Sequence, residues 1–476
     1  SVKIDVYKPV VDTAEPIKSG WTNLDVTVNG KVSDIGDAQS KVAAVCYVEG
    51  DGFTDDELTL ENLLENTFPV DTFNAETGEY KFTIEKQNYE GNYTIYCIDN
   101  AGNISEGKKV GVQMDIEKPF DLTVIFPKNE PTLRTTLEKM LSAITFGFYK
   151  PSVEVTISAK DREANGVASG IQYFNYKIID PITGKTIKDG KEEAEKSSAE
   201  ISIKDDGYYI VEFTAFDWAG NSSSYSSLDN EDILQGAVVD NFPPRIASVN
   251  VNKPNLFINP DNYDENVILN DSSSIDLISD YLGYELYYDS DVEATISINE
   301  ANFGSLLEYD KLNEEKHITV SVNGVACEGL VWTNETNSDG KKTDVYATAI
   351  KLTGDGKYNI SVNCTDLSGN VMDTYTSQSI IIDKYAPMIT GFSFETEGSY
   401  FHKDKENEKL VDNSSSTKPY KDNYDYYFEN DFTVTVKASD VLDGLNSEDS
   451  ASGIKDIILI AQDVNNGWVT VTDNDD

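Results

Sequence analysis

The amino-acid sequence predicts an all-β protein in which several antiparallel β-sandwich domains follow one another. Segments with strict alternation of apolar and polar residues, rich in Val, Thr and Ile, recur along the chain, as expected of strands with one buried face. Short segments of nearly the same sequence return at domain-sized intervals. The chain has 476 residues, which is too long for one hydrophobic core.

The most regular of these segments is a strand that ends in Asp-x-(Ala/Ser)-Gly-Asn. It occurs as "GNYTIYCIDNAGNISEG" (91–107), "GYYIVEFTAFDWAGNSSS" (207–224) and "GKYNISVNCTDLSGNVMD" (356–373). Glycine adopts the positive φ of a tight turn, and Asp and Asn side chains bond nearby backbone amides. We therefore interpret nine residues as turn builders: Asp99, Gly102, Asn103, Asp217, Gly220, Asn221, Asp366, Gly369 and Asn370.

Two further markers set the domain boundaries. After each hairpin come an Asp, a Pro four residues later and a new alternating strand, as in "MDIEKPFDLTVIF" (114–126). The body of each unit opens with a strand of one type: "LDVTVNGKVSD" (24–34), "VEVTISAKD" (153–161), "VEATISINE" (292–300) and "FTVTVKASD" (432–440). We predict domains at 1–114, 115–239, 240–382 and 383–476, and we expect the fourth to be truncated before its last strands.

Taken together, these motifs resemble the tandem bacterial immunoglobulin-like repeats (Big-type) of Gram-positive cell-surface and adhesin proteins. The resemblance covers nearly the whole chain. It implies an elongated, monomeric array of immunoglobulin-like β-sandwiches, located at the bacterial cell surface or secreted. It is specific for fold and does not identify a ligand.

Composition excludes several functions. The net charge of −46 argues against nucleic-acid binding, which requires a basic surface. No apolar run is long enough for membrane insertion. The two histidines, His317 and His402, lie in separate units, and no G-x-S-x-G motif occurs. We therefore predict that the chain is not an enzyme.

The four cysteines suggest two disulfides. Cys46 and Cys97 belong to the first predicted domain, and Cys327 and Cys364 belong to the third. A disulfide between the two sheets would suit an exported sandwich. The alternative is buried free thiols, because Ala215 occupies the corresponding position in the second domain.

Calcium is the metal that the sequence favours. Candidate ligands are the junction residues Asp115, Asp240 and Asp383, together with Asp440 and Asp443 in the acidic stretch 438–453. Oxygen ligands from several loops suit Ca²⁺, and Asp at a domain junction is similar to the arrangement in cadherins. The alternative is that these residues only build turns or form solvated loops.

Departures from the repeat indicate where a ligand would bind. Within 131–146, the residues Leu133, Leu137, Met140, Leu141 and Ile144 have helical spacing, which predicts a short helical insertion in the second domain. The stretches 259–291 and 399–431 are rich in tyrosine, which gives rigid contact area at low entropic cost. Candidate ligand-binding residues there are Tyr281, Tyr284, Tyr287, Tyr288, Tyr420, Tyr424, Tyr426 and Tyr427. The alternative is packing of these segments on the protein itself.

The sequence therefore favours an extracellular, adhesin-like segment that binds a host protein or glycan through the inserted loops. Three alternatives stay open: a structural spacer, repeats that capture host immunoglobulin, and accessory domains of a large secreted glycosidase.

Overall fold

The computed structural model describes residues 4–128, 132–135, 144–229, 234–259, 262–267, 273–280, 282–396, 400–404, 410–413, 418–419, 424–441, 451–454, 457–463 and 467–471. The chain divides into two compact units, Ser1–Asn241 and Phe242–Asp476. Each unit consists mainly of antiparallel sheets, which confirms the predicted all-β fold of tandem immunoglobulin-like sandwiches. The four predicted domain boundaries remain predictions.

The first sandwich of the first unit, here called sandwich 1, spans residues 10–114. Its elements are β1 (Val10–Pro16), β2 (Val26–Ser33), β3 (Val42–Glu49), α1 (Leu60–Asn66), β4 (Phe68–Pro69), β5 (Thr72–Phe73), β6 (Glu79–Ile84), β7 (Tyr89–Asp99) and β8 (Lys108–Met114). The sheets have the strand orders β1-β2-β6-β5 and β4-β3-β7-β8. Alternating residues of both sheets, including Val28, Phe82 and Ile95, form the core between them.

Sandwich 2 spans residues 120–239. Its elements are β9 (Phe120–Ile125), β10 (Thr132–Thr135), β11 (Ile144–Tyr149), β12 (Val153–Lys160), β13 (Ile171–Asp180), β14 (Lys185–Glu193), β15 (Ser198–Ile203), β16 (Gly207–Asp217), β17 (Ser222–Ser226), a 3₁₀ turn (Ser227–Asp229) and β18 (Gly236–Val239). One sheet has the order β15-β12-β9, and the other has the order β10-β11-β18-β16-β13-β14, with β17 also paired to β16. Val155, Phe174 and Phe213 pack in the core between the sheets.

The prediction of a helix at 131–146 is wrong for the described residues, 132–135 and 144–146, which form strands. Strands β10 and β11 pair as an antiparallel hairpin, with Leu133 opposite Phe146. Leu133 and Ile144 are buried within these strands, whereas Leu137, Met140 and Leu141 lie outside the described residues. Because β11 also pairs in parallel with β18, sheet hydrogen bonds satisfy this backbone and override the helical spacing of the side chains.

The second unit contains two further groups of strands. The first group comprises β19 (Arg245–Asn252), β20 (Leu256–Asn259), β21 (Asn262–Val267), β22 (Ser274–Asp276), β23 (Glu285–Tyr288), β24 (Val292–Asn299), α2 (Phe303–Asn313), β25 (Ile318–Val322), β26 (Val325–Ala326), β27 (Thr333–Thr336), β28 (Lys342–Leu352), β29 (Gly356–Tyr358), β30 (Ile360–Cys364), β31 (Tyr375–Thr376) and β32 (Ile380–Ile382). Its sheets have the orders β22-β19-β24-β28-β27, β21-β20-β23-β32-β29 and β26-β25-β30-β31.

The last group comprises β33 (Met388–Thr396), β34 (Tyr400–Asp404), β35 (Leu410–Asn413), β36 (Lys418–Pro419), β37 (Tyr424–Phe428), β38 (Phe432–Ser439), β39 (Leu459–Asp463) and β40 (Gly467–Val471). These strands form the sheets β36-β33-β38 and β35-β34-β37 and the pair β39-β40. Each group therefore repeats the antiparallel strand pairing of the first unit.

All four cysteines are free thiols, which contradicts the two predicted disulfides. On the neighbouring strands β3 and β7, Cys46 lies opposite Tyr96 while Cys97 lies opposite Val45. Successive residues of a strand face opposite sides, so Cys46 packs with Leu63 of α1 whereas Cys97 lies in the core of sandwich 1.

The second predicted pair fails for a different reason. Cys327 directly follows β26, Cys364 ends β30, and β25 lies between these two strands. Two strand spacings amount to about 10 Å, which exceeds the distance that a disulfide spans.

Candidate metal centre at the domain ends

The repeated turn places one carboxylate at the end of a strand. In sandwich 2, Asp217 is the last residue of β16, and Gly220 in the following turn has a φ of +94°. The Asn221 amide N–H donates to Asp217 Oδ1 at 2.7 Å, and Asn221 Nδ2 donates to Oδ2 at 2.8 Å. The pairs Asp99–Asn103 and Asp366–Asn370 make the same two bonds at 2.7 to 2.9 Å. The turn therefore fixes the carboxylate rigidly.

A short loop holds two more carboxylates next to Asp217. The backbone N–H of Ser169 donates to Oδ2 of the junction residue Asp115 at 2.8 Å. The backbone N–H of Gly170 donates to Oδ2 of Asp161, the residue after β12, at 2.5 Å. Carboxylate oxygens of Asp115, Asp161 and Asp217 lie within 4.8 Å of one another. We call these three residues the carboxylate trio of sandwich 2.

Sandwich 1 repeats the arrangement with Asp5, Asp34 and Asp99, whose oxygens meet the same distance limit. The backbone N–H of Ser40 donates to Asp5 Oδ2 at 2.7 Å, and that of Lys41 donates to Asp34 Oδ2 at 2.6 Å. Lys41 has a φ of +72°, close to the +82° of the corresponding Gly170. The same backbone conformation therefore builds both sites.

The last group of strands contains the same loop. The Ser452 N–H donates to Asp383 Oδ2 at 2.7 Å, and the Gly453 N–H donates to Asp440 Oδ2 at 2.6 Å. Gly453 has a φ of +83°. Two of the predicted ligands, Asp383 and Asp440, thus occupy the positions that Asp115 and Asp161 occupy in sandwich 2.

Elsewhere in the second unit, Glu300 and Asp366 are buried and have carboxylate oxygens within 4.8 Å of each other. Glu300 follows β24 as Asp161 follows β12. In the first unit, buried Asp240 directly follows β18, and its N–H donates to the Tyr149 carbonyl at 3.1 Å. The predicted ligand Asp443 lies outside the described residues.

The trio of sandwich 2 joins the two sandwiches of the first unit. Asn221 Nδ2 also donates to the Asp115 carbonyl at 2.9 Å. From sandwich 1, Asn23 Nδ2 donates to Asn221 Oδ1 at 3.0 Å, and the Thr22 carbonyl accepts from the Asp115 N–H at 3.1 Å. The site therefore ties the chain junction to both sandwiches.

The negative charge of this trio is poorly compensated by protein. Asp115 and Asp217 are completely buried. Burial raises the pKa of Asp217 to about 6; the Asn221 hydrogen bonds oppose this increase, and the charges of Asp161 and Asp115 add to it. Burial also raises the pKa of Asp161, against the hydrogen bond from Gly170. Among the described residues, no lysine or arginine forms an ion pair with the trio.

This donor set fits a calcium ion. Ca²⁺ takes hard oxygen ligands at about 2.3 to 2.6 Å, so two ligands on opposite sides of the ion are about 5 Å apart. The oxygens of the trio satisfy that spacing. A divalent cation would also compensate the buried charge that no basic side chain of the described chain compensates. Asp115, Asp161 and Asp217 are the residues that would hold it.

Sequence reasoning missed four members of these clusters: Asp5, Asp34, Asp161 and Glu300. It also assigned Asp99, Asp217 and Asp366 to turns alone. A signal for the strand-end position was present, because all four segments of the "VEVTISAKD" type end in an acidic residue. That signal becomes informative only when the fold brings those strand ends beside the turns.

The predicted tyrosine sites have mixed outcomes. The prediction that Tyr288 binds a ligand is wrong, because its side chain is buried and its hydroxyl donates to the Asn252 carbonyl at 2.7 Å. Tyr284 and Tyr287 are partly buried, and the Tyr287 hydroxyl donates to Glu285 at 3.0 Å. Tyr427 is exposed. Tyr281 and Tyr420 lie outside the described residues, and Tyr424 and Tyr426 are described only as backbone of β37.

Comparison with known proteins gives no family assignment. No protein-family model matches the chain, and no curated protein is similar to it in sequence. Among the described helices, none has the length and apolar character needed to cross a membrane.

Several solved structures share low similarity with the chain. The fibronectin(III)-like modules of Clostridium thermocellum CbhA are 13% identical, with 49% of this chain and 94% of that chain covered and a TM-score of 0.22. Invasin, described as a bacterial integrin-binding protein, is 11% identical, with 80% and 61% covered and a TM-score of 0.26. The FN1–FN3 domains of chicken CNTN1 are 10% identical, with 77% and 97% covered and a TM-score of 0.20. At these values, none of the three carries a functional inference.

Proposed function

We propose that this chain is a non-catalytic, extracellular spacer of a bacterial surface protein, and that Ca²⁺ bound at the ends of its domains stiffens it. The observation that carries the proposal is the trio of Asp115, Asp161 and Asp217 at the junction of two sandwiches. Its buried carboxylates lack a basic partner among the described residues.

Repetition supports this proposal. Clusters of the same construction in one array fit a general role in domain coupling better than a catalytic role, because a catalytic centre would need only one copy. A cation that binds the junction residue, a strand end and a turn at once would restrict rotation of the linker. Cation binding would then make the array stiff where calcium is abundant, which is the case outside cells.

Calcium binding to the full chain tests the proposal. Equilibrium dialysis against ⁴⁵Ca²⁺ gives the number of bound ions for the wild type, for Asp161→Asn and for the matched control Glu163→Gln. Asn keeps an acceptor for the Gly170 N–H but removes one charged ligand, whereas Glu163 is exposed and outside the trio. We expect Asp161→Asn to lose one bound ion and the control to lose none.

Proteolysis reports on the junction itself. The bond after Glu117 lies two residues from Asp115. We expect the glutamate-specific protease to cleave there faster in EGTA than in calcium. Equal cleavage in both conditions, or equal calcium stoichiometry in all three proteins, would contradict the proposal.

Adhesion to a host ligand is the second candidate function. One observation favours it: an open polar groove crosses the outer face of sandwich 2. This groove does not include the tyrosine-rich segments 259–291 and 399–431.

A further inference from the structure

A groove of about 800 Å³ crosses four strands on the outward face of sandwich 2. The strand order is β14-β13-β16, and β17 pairs with the other edge of β16. The pairing register aligns outward side chains into rows. One row consists of Lys191, Asn175, Thr214 and Ser224, and the next consists of Asp189, Lys177, Glu212 and Ser226.

Short polar side chains leave room above the β16–β17 half of this face. Thr214 and Ser224 share a hydroxyl–hydroxyl hydrogen bond of 2.8 Å, which orients both groups. Asn175, in the same row, presents an exposed amide with both donor and acceptor capacity. Longer charged side chains such as Lys177 and Glu212 flank these groups, so the floor of the groove presents two hydrogen-bonded hydroxyls and an exposed amide.

An aromatic pair borders the groove in the preceding row. Tyr173 and Phe216 stack with ring centroids 4.7 Å apart and an interplanar angle of 14°. Lys191 Nζ lies 3.9 Å from the Tyr173 ring centroid. On its other side, Phe216 is paired with Ser222, a residue too small to cover the ring. Half-buried Phe216 therefore offers an apolar surface beside the polar floor.

From these features we propose that the groove of sandwich 2 binds a neutral oligosaccharide. Sugars combine apolar C–H faces, which pack on aromatic rings, with hydroxyl groups that pair with amide, hydroxyl and carboxylate groups. The volume of the groove falls within the range of small-molecule sites, about 300 to 1,000 Å³. This inference is independent of calcium binding at the trio.

Charge selects a neutral sugar over an acidic ligand. The groove is lined by two lysines, Lys177 and Lys191, and by three acids, Asp189, Glu212 and Asp229. The chain as a whole carries a net charge of −46. An anionic glycan or a nucleic acid would therefore be repelled.

The test uses the full chain and a panel of neutral probes: cellotriose, maltotriose, chitotriose and lacto-N-tetraose, with sialyllactose as the acidic comparison. Calorimetric titration gives affinities for the wild type and for Thr214→Val, which keeps the side-chain shape but removes the hydroxyl. Thr156→Val, an equally half-buried position in β12 of the opposite sheet, is the matched control. Far-UV circular dichroism and melting curves verify that the variants fold.

We expect at least one neutral probe to bind, with an affinity reduced about tenfold or more in Thr214→Val and unchanged in Thr156→Val. The bound probe should also slow acetylation of Lys177 and Lys191. Failure of every neutral probe at millimolar concentration, tighter binding of sialyllactose, or equal affinity in Thr214→Val and the wild type would each overturn the inference.

Discussion

The raised pKa of Asp217 predicts that the metal-free hairpin of sandwich 2 becomes more stable as the pH falls. The folded value is about 6, compared with an ordinary value of 3.8. Because the folded state holds this proton more tightly, its stabilising contribution is complete below about 3.8 and is lost as the pH rises through about 6. This difference between the folded and the ordinary pKa lowers the stability of the folded hairpin at neutral pH by about 3 kcal/mol relative to pH values below 3.8.

The substitution Asp217→Asn removes the titrating group. Hydrogen exchange of the peptide 207–224, corrected for intrinsic rates and measured in EGTA from pH 4 to pH 7.5, gives the opening free energy of this hairpin. Subtracting the opening free energy of the variant from that of the wild type removes the contributions that do not depend on the ionisation of Asp217. We expect the difference to shift by about 2.4 kcal/mol in favour of the wild type between pH 7.5 and pH 4, and the Glu163→Gln control should show no shift.

Calcium should counteract this dependence. An ion present at 100 times its dissociation constant stabilises the folded state by about 2.7 kcal/mol, which is close to the penalty for ionising Asp217. The wild-type profile should therefore flatten when calcium replaces EGTA. A difference between wild type and Asp217→Asn that stays constant across the pH range in EGTA would contradict a raised pKa of Asp217 in the folded hairpin.

Three other predictions concern the fold. Burial raises the pKa of the Cys97 thiol to about 12, so Ellman's reagent should react first with half-buried Cys327 in the folded protein. Because all four cysteines are free, the unfolded protein without added reductant should react as four thiols, whereas one or two disulfides would leave two thiols or none. Phe174→Ala should lower the free energy of unfolding of sandwich 2 by about 3 to 5 kcal/mol in urea denaturation, because the ring is fully buried against Phe213. Asn221→Ala should cost about 2 to 3 kcal/mol in the same assay and speed cleavage after Glu117, because three side-chain hydrogen bonds of Asn221 are lost; an unchanged cleavage rate would exclude Asn221 from the junction.

Much of the fold could be predicted because its signals are local. Period-two alternation in segments such as 153–161 fixes which side chains face the core, and Val153, Val155 and Ile157 are all buried as that pattern requires. The predicted helix at 131–146 failed because the spacing of Leu133 and Ile144 fits both a helix and the two arms of a hairpin. Pairing with β18, a segment almost a hundred residues away, decided between them.

The site was only partly predictable because it combines three distant segments. Each segment has a sufficient local explanation: Asp217 closes a turn, Asp115 begins a linker and Asp161 follows a strand. Local sequence therefore predicts the turn but does not predict that the three carboxylates lie together. The disulfide prediction failed for a related reason, since sequence separation does not reveal that Cys46 and Cys97 face opposite sides of one sheet.

The construction of the trio also explains why an acidic chain would tolerate buried charge at its junctions. Buried carboxylates destabilise an isolated sandwich, as the pKa of Asp217 shows. The proposed cation would compensate this charge only when the linker, strand end and turn come together, which would couple its binding to the order of the junction. Asn221 contacts both the carboxylate of Asp217 and the junction carbonyl of Asp115, and it accepts a hydrogen bond from Asn23 of sandwich 1. The groove lies on the outward face of the sheet, where Thr214 and Ser224 sit three residues away from these turn residues along β16 and β17. The proposed cation site and the proposed sugar groove therefore use different residues of the same domain.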